Sequence, residues 1–285
     1  MTDPGAGLLP PARPPRVRLG LWHALLLFIS VLFLLPLASM IIGSLRLPGL
    51  PPPRGMEWIP KPISWANYPA VFQLIELGRY LVNTLVVEAL AVPVTLLVGS
   101  WAGFALAQLP LRIARRIMNA TLLILLLPET ALWVSRFILY RLTGLLDTPV
   151  ALAAPSLMAT SPIYVLIFYW SYRRVPGEVW EAAQLDGAGA LRTWWTIGLP
   201  AVRPALAAVS VLTFVYYWRE FNDPLLYIQS VEKYTVSLGL AYLEQLDPTN
   251  WPILMAGSVL ITAPLVAVFL LAQPFFLEAL ERRRQ

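Results

Sequence analysis

The sequence predicts an all-α membrane protein: six transmembrane helices, with a helix–turn–helix on the cytoplasmic side between the fourth and the fifth. Three observations carry this. Only 13% of the 285 residues are charged and 58% are hydrophobic, whereas a soluble domain carries roughly 25% charged residues, so the bilayer is the solvent that this chain suits. Six apolar runs approach or exceed the roughly 20 residues that a spanning helix needs. Arginine and lysine gather in alternate connections, as expected for one cytoplasmic face.

Residues 1–19 are rich in proline and glycine and are predicted to be a disordered cytoplasmic tail. Residues 20–45 hold the first span, an apolar run at 21–44. That run is longer than the 7–15 residues of a cleaved leader's apolar region and has no convincing small-x-small site after it, so it reads as a retained anchor. The connection 46–79 is an extracytoplasmic loop with many prolines and a short helix near 66–77. Trp58 and Trp65 in it suit headgroup depth. Residues 80–277 form the core, with spans at 80–109, 118–140, 150–172, 204–228 and 253–277. The first of these holds Pro93 and Gly99, where a kink is expected. Glu129 and Arg136 interrupt the span at 118–140, and Arg219, Glu220 and Asp223 that at 204–228. Residues 278–285 form a short basic tail.

The charges set the orientation. Arg13, Arg16 and Arg18 precede the first span, and Arg112, Arg115 and Arg116 lie between the second and third. Arg173, Arg174, Arg192 and Arg203 follow the fourth, and Arg282, Arg283 and Arg284 close the chain. The opposite side has Arg46, Arg54, Lys61 and Arg79 in its first loop, then only Arg141 and Lys233. Both termini are therefore placed in the cytoplasm. The short basic C-terminal tail also suits contact with membrane lipids through their phosphates.

Composition excludes several chemistries. Without cysteine, and with His23 the single histidine, the chain has no thiolate ligands, no disulfide and no histidine-based triad or metal centre. There is no GxxxxGK(S/T) run to bind ATP. The basic residues form topology clusters rather than an aromatic-interleaved nucleic-acid surface. The expectation is a non-catalytic chain with no metal and no cofactor of its own.

The segment 174–203 is the least membrane-like part of the core. Val175-Pro176-Gly177 stops the fourth span, and a short helix is predicted over 178–186 with acid in its first turn, where the helix dipole favours it. Ala182 and Ala183 are small enough for another surface to approach closely. Gly187 fits the position just past the helix end, where the backbone turns left-handed. A second helical stretch at 190–197 carries Trp194 and Trp195 and ends before Leu199-Pro200. The product is a polar knob of about thirty residues, suited to a groove on another protein.

Glu181-Ala182-Ala183, three residues, Gly187, nine residues, Ile197, one residue and Leu199-Pro200 together resemble the EAA motif of permease subunits of bacterial ABC importers. The resemblance extends through "YLVNTLVVEAL" at 80–90, "GLLDTPVALAAPSL" at 144–157, "FVYYWREFNDPLLYI" at 214–228 and "TVSLGLAYL" at 235–243, which look like segments of the carbohydrate, maltose-type branch and its second, six-span permease. It implies that the knob is the coupling helix, seated in a cleft of an ATPase subunit. Glu181, Ala182, Ala183, Asp186 and Gly187 would line that contact, and Ile197, Leu199 and Pro200 would fix the following helix. It implies a heterodimer with a related permease, two ATPase subunits that carry ATP and magnesium, an extracytoplasmic solute-binding protein, and a bacterial inner-membrane location. Two departures stand out: Arg219 follows Trp218 where the family has asparagine, and the ending "FLEALERRRQ" lacks the family's glycine-rich tail.

Polar groups at membrane depth point to a path, because they face a bundle interior or a cavity. Tyr217, Trp218, Glu220, Asn222 and Asp223, just before the helix-kinking Pro224, are the expected substrate-path residues, joined by Asn83 and Glu129. Aromatic faces beside carboxylates and amides suit a mono- or oligosaccharide. The alternatives are an importer for glycerol phosphate, a polyamine or a peptide, a self-sufficient secondary transporter, and a membrane scaffold. Copurified ATPase activity separates these classes.

Overall fold

The computed structural model describes residues 16–55 and 58–281, and side chains over 22–55 and 58–274. The sequence expectations for residues 1–15 and for the arginines at the C-terminus lie outside these. Among the described residues every regular element is a helix, with no strand. Three helices are long and apolar enough to cross a membrane, α1 (Arg16–Ser44), α3 (Leu77–Gln108) and α14 (Trp251–Glu281); counting each bent helix pair as one span gives up to six.

Helix α1 begins at Arg16, inside the predicted tail, and packs along α14 at the edge of the bundle. Its outward face is apolar and exposed. Ser30, Ser39 and Ser44 return their hydroxyls to main-chain carbonyls of their own helix at 2.7–2.8 Å, which satisfies them without water. The next helix, α2 (Asn67–Leu74), is shorter than the predicted 66–77. Buried Asn67 donates to the carbonyls of Ser44 and Arg46 at 2.8 and 2.7 Å, closing the end of α1 and holding the proline-rich loop over it.

Helix α3 runs unbroken through Pro93 and forms the central post. It meets α7 (Pro162–Tyr172) closely at Gly103, where a Cβ would stand 2.5 Å from Phe168 Cβ and 2.8 Å from the main-chain nitrogen of Tyr169. Any side chain there forces the two helices apart.

The remaining predicted spans are broken, and prolines account for the breaks. Helix α4 (Leu111–Ile124) ends four residues before Pro128, whose ring would clash with the Ile124 carbonyl. The chain resumes as a 3-10 turn at Glu129–Leu132 and α5 (Trp133–Leu142), bent by 83° from α4. The fourth segment, α6 (Pro149–Ala153) with a 3-10 turn at Ala154–Met158, meets α7 at 42° through Ala159 and Thr160, both at φ +58°. Left-handed backbone at non-glycine residues costs on the order of 1–3 kcal/mol each, and Thr160 is β-branched as well. Ser161 then caps α7, with Pro162 in its first turn.

The knob follows as α8 (Gly177–Leu185), α9 (Ala190–Thr193), a π turn at Trp194–Gly198 and α10 (Leu199–Ala201), with 83° between Ala190–Ala201 and α11 (Arg203–Arg219). Helix α11 stops at Glu220, which is extended, and α12 (Asn222–Tyr227) continues. Glu220 lies four residues before Pro224, so its carbonyl has lost its helical donor; Ser237 Oγ donates to it instead. Helix α13 (Val236–Leu246) leads to α14.

Candidate functional site

The knob is an exposed helix end with a buried root. Helix α8 closes on a left-handed Gly187 at φ +71°, whose N–H donates to the Gln184 carbonyl while Ala188 N–H donates to the Ala183 carbonyl, both at 3.0 Å. This is the Schellman closure that glycine permits. The motif residues divide between two faces. Glu181, Ala182, Asp186, Gly187 and Pro200 are exposed, whereas Ala183 is buried and Ile197 and Leu199 pack against the core. Leu185 and Leu191, 88% and 64% exposed, add an apolar patch to the outward face. A cleft of about 700 Å³ runs along α8, lined by Gln108, Pro110, Leu111, Arg173, Trp180 and Glu181 among others.

The root is aromatic. Trp180 meets Phe104 of α3 edge-on at 5.5 Å and Tyr172 of α7 at 6.3 Å, and Trp194 meets Trp101 of α3 at 5.0 Å. Edge-to-face pairs each add about 0.5–1.5 kcal/mol to their burial. Phe168, Tyr169 and Val209 complete this cluster, so the knob, α3, α7 and the start of α11 are packed as one body. Sequence reading placed Trp194 in the knob without a role and passed over Trp180. The available signal was the three-residue spacing of Trp180 and Ala183, which puts both on one helix face.

The predicted path residues fall into two groups. Glu129, Glu220 and Asp223 all lie within electrostatic reach of Tyr216, and Arg136 of α5 pairs with Asp223 at 3.5 Å. Glu220 also accepts from the main-chain N–H groups of Asn222 and Asp223 at 2.9 and 3.2 Å, capping the half-helix α12. Asn222 is exposed beside them. The second group is committed to packing. Tyr217 bonds Thr160 at 3.0 Å, Trp218 donates to the Ile261 carbonyl at 2.9 Å, and Asn83 donates to the carbonyls of Glu232 and Tyr234 at 2.9 and 3.0 Å. Deeper in α3, Glu88 is buried with neither carboxylate oxygen hydrogen-bonded.

One polar centre escaped sequence reading as anything but part of a loop motif. Asp147, at φ +60°, joins the connection before α6 to the one after α12. Its Oδ1 accepts from Gln229 and Ser230 N–H at 3.0 Å each, and its Oδ2 from Ser230 Oγ at 2.6 Å and Lys233 Nζ at 2.8 Å. Burial alone would raise this carboxyl, but the bonds from Lys233, Ser230 and Gln229 outweigh it and hold its pKa well below the usual carboxylate range. A depressed folded value means that its stabilisation is in place above about pH 4 and is lost only as pH falls through that lowered value. Asp147→Ala is expected to cost on the order of 2 kcal/mol, read as a lower melting temperature at neutral pH. Lys233→Ala should cost less, because the lysine is half exposed and the N–H donors remain served.

Residues 95–285 match the family described as "Binding-protein-dependent transport system inner membrane component". The arabinooligosaccharides transport system permease protein AraQ of Halalkalibacterium halodurans is 30% identical over 258 residues, which cover 89% of this chain and 91% of that protein. The melibiose/raffinose/stachyose import permease protein MelC of Bacillus subtilis is 24% identical, over 79% of this chain and 82% of its own length. A crystal structure of a bacterial ABC transporter involved in the import of the acidic polysaccharide alginate includes a chain with the same fold, at a TM-score of 0.72, 20% identity and coverage of 94% of this chain and 100% of that one.

Proposed function

Because this chain belongs to the family of binding-protein-dependent transport system inner membrane components, we propose that it is the six-span permease subunit of an ATP-driven importer of a mono- or oligosaccharide. Both termini face the cytoplasm, and a related permease completes the pathway. Two ATPase subunits carry the nucleotide, and an extracytoplasmic binding protein delivers the solute. The saccharide assignment rests on relatives such as AraQ and MelC, whose names specify arabinooligosaccharides and melibiose, raffinose and stachyose.

The observation that carries the mechanism is the knob's two-faced construction. Its outward face presents Glu181, Ala182, Asp186 and Gly187 with Leu185, while its inward face is bolted to α3 and α7 by Trp180 and Trp194. A groove that grips the first face moves the spans through the second. Closure of the ATPases on ATP draws the knobs together and shifts the membrane bundle between two packed states, opening the path alternately to either side. Solute passes the polar cluster around Asp223, Glu220, Asn222 and Glu129, with Tyr216 as an aromatic face.

Purification of the assembled complex tests this. The chain is expected to bring down an ATPase whose hydrolysis rises when a sugar-loaded binding protein is added to proteoliposomes. A chain that purifies without an ATPase, or a hydrolysis rate indifferent to the loaded binding protein, contradicts it.

A further inference from the structure

One side chain ties the strained elbow at Ala159 and Thr160 to its neighbours. Thr160 Oγ1 bonds Thr95 Oγ1 of α3 at 2.6 Å and Tyr217 OH of α11 at 3.0 Å. Thr95, Ala159 and Tyr217 are all buried. A Cβ at Gly99, one turn along α3 from Thr95, would touch Ala159 Cβ at 3.4 Å. Among the described residues Thr160 is the one β-branched residue at positive φ, and its hydroxyl joins three separate segments of the bundle.

Phe168, Tyr169 and Tyr172 of α7 share one buried cluster with Trp180 and Trp194 of the knob, so packing ties α7 to the knob across the turn at 173–176. The break on the other side of α7 is the elbow. Two consecutive residues there occupy a region that L-residues avoid unless their surroundings impose it. The Thr95–Thr160–Tyr217 bonds and the main-chain bonds from Ala159 N–H to the Ser156 carbonyl and from Thr160 N–H to the Pro155 carbonyl, at 2.9 and 3.0 Å, supply that restraint.

We propose that Ala159–Thr160 is the hinge between α6 and the body formed by the knob, α7, α3 and α11 during the transport cycle, and that the Thr160 hydroxyl is the latch that holds the hinge in the state seen here. The proposal rests on the importer reading above. Movement of the knob carries that packed body with it, Thr95 and Tyr217 leave the Thr160 hydroxyl, and the backbone relaxes out of the left-handed region as α6 and α7 change their 42° angle. The latch keeps the knob from moving without a loaded binding protein, so it couples hydrolysis to transport.

The test uses the complete transporter in nanodiscs. The chain has no native cysteine, so spin labels at Val150→Cys and Trp170→Cys, both exposed, report the distance between the two halves. In the wild type, ATP should shift that distance. Thr160→Val keeps the branched shape but deletes the hydroxyl, and Thr160→Gly also relieves the backbone. Both should populate the ATP-like distance without nucleotide and raise basal hydrolysis several-fold in the absence of binding protein. Tyr217→Phe removes the same bond from α11 and should do likewise, which keeps the test decisive if the Thr160 variants misfold; Thr160→Ser should behave as wild type. A label distance unmoved by ATP overturns the hinge. Wild-type distances and basal rates in the valine, glycine and phenylalanine variants overturn the latch while leaving the importer reading intact. A wild-type complex that ignores its binding protein removes that reading and the latch with it.

Discussion

Gly187→Pro is expected to abolish uptake while leaving the protein inserted and assembled. Proline fixes φ near −65°, whereas Gly187 sits at +71° and uses its N–H to close α8 on the Gln184 carbonyl. The substitution loses that bond, demands the wrong backbone hand, and disfavours the compact backbone of Asp186 before it, at φ −74° and ψ 4°. The cost is about 3 kcal/mol, or roughly 100-fold in the population of the correct knob. It falls on the knob alone, because the spans are held by lipid and by their own hydrogen bonds. Gly187→Ala keeps the N–H and meets only the left-handed penalty, about 1–2 kcal/mol, so its uptake should drop roughly tenfold. Sugar uptake and ATP hydrolysis measured on the same proteoliposomes check both. Hydrolysis should lose its dependence on the loaded binding protein in step with uptake, and proline uptake at the wild-type rate would contradict the knob's role.

Asp223→Ala should be the most damaging change in the membrane half. Asp223 is buried and faces Arg136, whose side chain is 25% exposed. Removing the carboxylate strands a guanidinium, and breaking a buried pair from one side costs about 3–5 kcal/mol, far more than the pair itself contributes. The single variant should lose thermal stability and uptake together. The double variant Arg136→Ala/Asp223→Ala should recover most of the stability. If the polar cluster touches solute, the recovered double variant still transports poorly, with its defect in the concentration dependence of uptake. Full recovery of uptake would make the pair a structural tie between α5 and α12 and no more.

What the sequence disclosed, and what it hid, follows from the range of the forces. Apolar length located the three long helices α1, α3 and α14, and the positions of Pro176, Gly187 and Pro200 located the knob, because helix stops are local chemistry. The bends were only half legible. Pro224 announces a kinked helix without its place, and the break falls at Glu220, the carbonyl that the proline ring displaces. Pro128 and Pro162 carried the same signal in segments that were read as single spans, and a proline marks a break without giving its angle. The side-chain roles were least accessible. Tyr217 and Trp218 look alike as path aromatics along a helix, yet their polar tips are tied to Thr160 and Ile261, partners 57 and 43 residues away in the chain. Arg136 met Asp223 across two broken helices rather than Glu129 along its own. Burial likewise separated Ala182 from its neighbour Ala183, one facing out and one in, a distinction that motif spacing does not draw.

The most direct measurement is cross-linking from the knob. With no cysteine in the chain, Glu181→Cys and Asp186→Cys each place a single thiol on the exposed face of α8. In inside-out membranes holding the whole transporter, each should form an adduct with the ATPase subunit, in a yield that changes when ATP is added, while Lys233→Cys should not. Labelling of the knob thiols by an impermeant reagent from the extracytoplasmic side, or no ATPase adduct from either, would contradict the account.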